Sequence, residues 1–178
     1  MGWKSNKFQE FTINFLAIIS LSGFLEGDQL DEMIDGKKDS FQKIAIDIWE
    51  LAELGYLENQ SSKLLADELS KNGFKITKGV AGIPTGFIAE YSNGGPVVGI
   101  LGEFDALPGL AQTTSPFKEV AENKTGAGHA CGHHLFGAAS AWAAVAIKDW
   151  IVESGIKGTI RFYGTPAEEG GSGKVYMV

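Results

Sequence analysis

The chain has 178 residues, of which 44% are hydrophobic and 21% charged, a composition that suits one globular domain or part of a larger one. Its net charge of -7 excludes a basic face for nucleic acid, and its single cysteine excludes an internal disulfide framework. The 24 glycines gather around polar motifs and form no repeat or low-complexity tract.

Residues 1–33 read as either a secretory signal peptide or an N-terminal extension. Lys4 and Lys7 precede an apolar run from Phe11 to Leu25, whereas Glu10, Asn14 and the lack of an Ala-x-Ala site argue against cleavage. The protein is accordingly expected to be cytoplasmic or exported. The run is short for a bilayer span, so no stable membrane span is expected. Polar residues 26–40 read as a linker, with Ser40 the expected N-cap of a helix over about 40–54 that Gly55 stops. Phe41, Ile44, Ile48 and Leu51 would share its inner face. A second amphipathic helix is expected over about 60–71, with Leu64, Leu65 and Leu69 apolar.

Beyond Gly73 the period changes to two. Strands are expected at 74–77 and 85–91, and Asn93-Gly94 signals a tight turn from the second of these into the next strand. Val97 to Leu101 is continuously apolar, as for a strand covered on both faces. A helix is expected over 135–151, apolar nearly all round and hence buried, with Leu135, Ala139, Trp142, Ala146 and Trp150 at helical spacing. A last strand covers 159–163. Alternating strands and helices imply an α/β sheet with some parallel pairs. Three polar clusters follow two of the strands and precede the long helix, where ligands of open α/β sheets bind.

All three histidines and the only cysteine fall within residues 129–134. Thiolate and imidazole are ligands that borderline-soft metals prefer, and Cys131 and His133, one residue apart on a glycine-rich loop, can converge on one metal or on neighbouring metals. A lone cysteine is otherwise a small buried hydrophobe. A nucleophilic Cys-His pair is a further reading, though thiol hydrolases usually draw these partners from distant positions. Glu168 and Glu169 follow the last strand in a loop with Pro166 and several glycines. Adjacent carboxylates in an extended loop point apart, so one can bind metal while its neighbour faces a water. Asp105, after the third strand, is either a turn residue or a support for a ligand. Gly170-Gly171-Ser172-Gly173-Lys174 fails as a phosphate loop, because Glu168 and Val175 fall on required positions. Cys131 likewise breaks the dinucleotide fingerprint beginning at Gly126.

Segments 99–109, 128–134 and 164–170, in this order, resemble the metal-dependent aminoacylase/carboxypeptidase peptidases. Within that co-catalytic two-metal family they are most similar to the aminobenzoyl-glutamate hydrolase branch. The resemblance runs from about Ile34 to Val178. It implies a three-layer α/β/α sandwich of the zinc-peptidase catalytic type, incomplete here, and two divalent metal ions, zinc or manganese. Carried over, Cys131 bridges or ligates the metal pair, His133 and Glu169 are metal ligands, and Glu168 is the catalytic general base. Asp105 matches an aspartate near the family's site. Glu103 stands where many relatives carry a histidine ligand, and His134 where auxin-conjugate-type members carry an aspartate. His129 matches the motif without being expected as a ligand.

Relatives continue with further histidine ligands and an inserted dimerisation domain. Residues 34–178 would thus be the N-terminal part of a catalytic domain with an incomplete core, from a homodimeric protein or one with a second subunit. The implied activity is cleavage of the amide bond of N-acyl amino acids or short peptides by metal-activated water. A non-catalytic fragment or partner subunit is the alternative, and a Cys131 thiol hydrolase the third reading.

Overall fold

The computed structural model describes residues 27–178; the N-terminal apolar run lies outside the described residues. The chain begins with helices α1 (Gly27–Asp35), α2 (Lys38–Leu51) and α3 (Asn59–Lys71). Strands β1 (Lys75–Lys78), β2 (Phe87–Ser92) and β3 (Val97–Gly102) follow. Helix α4 (His133–Ser154) then leads into β4 (Thr159–Gly164), and two short helical turns, Glu168–Gly171 and Gly173–Met177, complete the chain.

Residues 26–40, expected as a linker, contain α1, and Ser40 lies inside α2 rather than at its cap, which is Lys37. Gly55 does not stop α2. Ala52 does so in the left-handed conformation (φ 40°), its N–H donating to Ile48 O. The chain must turn there, because Leu54 forms a parallel bridge to Ala106. The expected inner face of α2 is present in Phe41, Ile44 and Ile48, all buried; Leu65 and Leu69 of α3 join them.

The sheet is mixed, with the order β1-β2-β4-β3. β4 is antiparallel to β2 and parallel to β3, so β3-α4-β4 is the parallel unit that the alternating pattern implied. The tight turn into a paired third strand is not formed. β4 separates β2 from β3, and Asn93 instead ties down the α4–β4 connection: its Oδ1 accepts from Gly158 N–H (2.8 Å) and its Nδ2 donates to Ile156 O (2.9 Å). β3 is therefore an edge strand, with Val97, Val98 and Leu101 about half exposed, not a strand covered on both faces. The inner strands are β2 and β4, and β3 pairs only with β4. Ile160 and Phe162 of β4, with Phe87 and Ala89 of β2, form the face on which α2, α3 and α4 pack. The opposite face carries Ile88, Glu90, Arg161 and Tyr163, none of them fully buried. Among the described residues the helices thus form one layer on one face of the sheet.

α4 starts two residues earlier than its periodicity implied and is not buried all round. Its inner face is Gly137, Ala138, Ala141, Ala144 and Val145, while Leu135 and Phe136 are exposed. Trp142 and Trp150 instead flank an apolar groove of about 500 Å³ shared with Leu30 and Ile34 of α1. Trp142 stacks on Phe41 and donates its indole N–H to Ile34 O at 2.9 Å. By length and composition α4 could cross a membrane. Its small-residue face against the sheet makes it the core helix of this α/β unit.

Candidate metal centre

Three connections converge at the carboxyl ends of β3 and β4. Residues after β3 supply Glu103 and Asp105, those after β4 supply Glu168 and Glu169, and the loop into α4 supplies Cys131 and His133. The approach is close: a Cβ on Gly137, in the second turn of α4, would stand 2.4 Å from Glu103 O. Only glycine lets the helix start this near the strand end. Gly132, left-handed at φ 80°, separates Cys131 from His133 and brings both side chains to the same side.

His133 is the hub. It is buried, and its Nδ1 lies 3.0 Å from Asp105 Oδ1. Its Nε2 lies 2.8 Å from Glu103 Oε2 and 3.8 Å from Glu168 Oε2. Asp105, 1% exposed, uses its other oxygen to accept the Glu169 N–H at 2.8 Å. One carboxylate thus aligns two of the sequence-predicted ligands. Burial pushes Asp105 upward, but the hydrogen bonds from His133 and from the Glu169 amide outweigh it and hold the carboxyl below its ordinary value. The Asp105 bond raises His133, against burial.

Donor atoms of Cys131, His133 and Glu169 lie within 4.8 Å of one another, and so do those of Glu103, His133 and Glu168. Glu169 Oε1 is buried with no hydrogen-bond partner. Such an atom is costly unless something positive meets it. With Nδ1 committed to Asp105, Nε2 is the nitrogen left to serve a metal, and Glu103 Oε2 stands 2.8 Å from it. A thiol, an imidazole and several carboxylates form a donor set that zinc and manganese both accept. The residues fit a divalent cation.

Cys131 is exposed, which removes the buried-hydrophobe reading. Its bond to Glu169, slight burial and the neighbouring Glu168 and Asp105 charges all push the thiol up. Glu103 is engaged on both oxygens, one facing His133 and the other accepting from Lys174.

His129 and His134 stand apart from these donors, their rings 5.1 Å from each other. His129 bonds through Nε2 to Ile48 O at 3.0 Å, fixing the loop to the end of α2. Burial, then the His134 charge, lowers it to about 4, and burial also lowers His134. Sequence reasoning missed Glu58, fully buried, which reaches Ala167 beside the glutamate pair. Nothing in its polar surroundings signals burial.

Residues 99–178 match the family described as peptidase family M20/M25/M40. The chain is 42% identical over 149 residues to one subunit of the p-aminobenzoyl-glutamate hydrolase of Escherichia coli (strain K12), covering 84% of this chain and 31% of that protein. It is 36% identical over 125 residues to N-acetylcysteine deacetylase of Bacillus subtilis (strain 168), covering 69% and 31%. Among solved structures, the Bacillus subtilis YXEP protein, described as a dinuclear metal binding peptidase from M20 family, superposes with a TM-score of 0.63 at 31% identity, covering 78% of this chain and 38% of that one. The chain thus spans about a third of the length of these curated relatives. With the α/β fold, the motif order and these matches in agreement, residues 99–178 belong to a domain of the M20 peptidase family.

Proposed function

We propose that the protein is a metal-dependent amidohydrolase cleaving the amide bond of N-acyl amino acids or short peptides, with aminobenzoyl-glutamate-like compounds as the substrate class. The observation that carries this reading is the convergence of Cys131, His133 and Glu169 donors within 4.8 Å around a buried, unpartnered Glu169 oxygen. The names of the relatives support the substrate class, since their acyl groups differ while each name denotes cleavage of an amide.

Cys131, His133 and Glu169 would hold the metal, with the Glu103 and Glu168 carboxylates standing beside His133. Bound there, zinc or manganese ions supply Lewis acidity, polarising an amide carbonyl and acidifying water. Asp105 keeps the His133 imidazole in one orientation and draws in the Glu169 backbone. Glu168, with its side chain 44% exposed, faces solvent and has the freedom to take a proton from water and hand it to the leaving amine. Residues 34–178 would form the N-terminal part of the catalytic domain, in a protein that acts as a homodimer or beside a second subunit. The test is Glu168→Gln, assayed on p-aminobenzoyl-glutamate, hippurate and N-acetylcysteine. Turnover is expected to vanish with metal content unchanged, and retained turnover would reject Glu168 as the base.

A further inference from the structure

Glu58 is a fully buried carboxylate with no cation among its partners. Burying a charge this way is costly, and a leucine or methionine would fill the same core more cheaply. Both oxygens are occupied. Oε1 accepts the N–H of Ala167 at 2.8 Å, and Oε2 accepts the Thr85 hydroxyl at 3.0 Å. These bonds go to the Ala167 backbone and to Thr85, not to the Cys131, His133, Glu168 or Glu169 side chains. The carboxylate's partner most distant in sequence is a backbone amide 109 residues away, directly before Glu168.

That amide belongs to a strained residue. Ala167 is left-handed (φ 55°, ψ 45°) and fully buried, a conformation that side chains avoid unless their surroundings impose it. The turn between α2 and α3 supplies those surroundings. A Cβ on Gly55 would stand 3.0 Å from Ala167 Cα, so the backbones touch there. Tyr56 donates its hydroxyl to Gly171 O. The same turn thus grips the glutamate loop at both ends, at Ala167 and at Gly171.

We infer that Glu58 is a positioning residue: its carboxylate fixes the Ala167 backbone and thereby sets where Glu168 and Glu169 stand over Cys131 and His133. The inference rests on the reading of Glu168 as base and Glu169 as ligand. Glu58→Gln keeps the arrangement, because the amide oxygen can accept from Ala167 while the Thr85 hydroxyl turns to accept from the amide NH₂. Glu58→Met fills the space and removes the acceptor.

The experiment is amide hydrogen exchange on the metal-free chain, residue by residue, with activity measured in parallel. In Glu58→Met, protection at Ala167 and Glu169 is expected to fall at least tenfold while the β4 amides of Ile160 to Phe162 keep theirs; in Glu58→Gln it stays within threefold of the parent. Assayed at saturating metal, hydrolysis of p-aminobenzoyl-glutamate should lose at least tenfold in kcat in the Met variant, with KM little changed, and recover in the Gln variant. Unchanged protection at Ala167, or a loss shared equally by β4, would overturn the inference. If the Met variant does not fold, Thr85→Val removes the other tether. A fall of threefold or more confined to Ala167 and Glu169 supports the assignment, and none overturns it. Should Glu168→Gln stay active, the base assignment fails, whereas the exchange data still decide the role of Glu58.

Discussion

His129 makes the stability of this chain depend on pH in a way that one substitution isolates. Its ring is 9% exposed, with Nε2 donating to Ile48 O and Nδ1 buried without a partner. Burial first, and the His134 charge second, lower its pKa from 6.5 to about 4. The folded state therefore refuses a proton that the unfolded chain accepts. The stability this confers is complete above pH 6.5 and is lost as pH falls toward 4. At about 1.4 kcal/mol for each pH unit the full effect is about 3 kcal/mol, most of it gone by about pH 4.5. Glutamine keeps a donor for Ile48 O and cannot titrate. Urea unfolding of the parent and His129→Gln at about pH 7.5 and 4.5 measures the difference, since every other titrating group is common to both. The parent should lose about 2–3 kcal/mol more than the variant on acidification. Equal losses in the two proteins would refute the argument that burial keeps this histidine neutral.

Other expectations follow from the same geometry. In Asp105→Asn one amide oxygen cannot accept from both His133 Nδ1–H and Glu169 N–H, so metal affinity should fall about 10- to 100-fold in a competition titration. His133 behaves oppositely to His129. The Asp105 bond raises its pKa, so in the metal-free chain its stabilising contribution is present below pH 6.5 and lost as pH rises through the raised value. Metal requires the neutral imidazole, so affinity measured across pH should climb through that same interval. Gly137→Ala would put a Cβ 2.4 Å from Glu103 O, which should cost about 1–3 kcal/mol in thermal unfolding and displace the metal loop. Phe162→Ala empties the centre of the sheet–helix core and should cost about 3–5 kcal/mol in the same assay.

The site was legible where chemistry is local in sequence. Cys131 and His133 share one glycine-rich loop, and Asp105, Glu168 and Glu169 each follow an apolar strand, so placing two strand ends and one helix start together sufficed. The sheet order was less legible. Asn93-Gly94 has the residues of a hairpin turn, and only the bonds from Asn93 to Ile156 and Gly158 show that β4 inserts instead. The burial of β3 was misjudged for a related reason. An apolar run reports what a strand can tolerate, whereas its neighbours decide what covers it. In α4 nearly every position is apolar, so periodicity could not single out the alanine face that meets the sheet. Glu58 was invisible because its partner Ala167 is 109 residues away.

The most direct test of the account is metal retention at the Cys131–His133–Glu169 cluster. Cobalt(II) binding, followed by the thiolate charge-transfer absorption and by elemental analysis after dialysis, reports both the ion and the cysteine that holds it. The account predicts tight binding, the sulfur band lost in Cys131→Ser, and affinity sharply reduced in His133→Ala and Glu169→Gln. Binding that survives all three substitutions, or no binding by the parent, would contradict the assignment of this cluster as a metal centre.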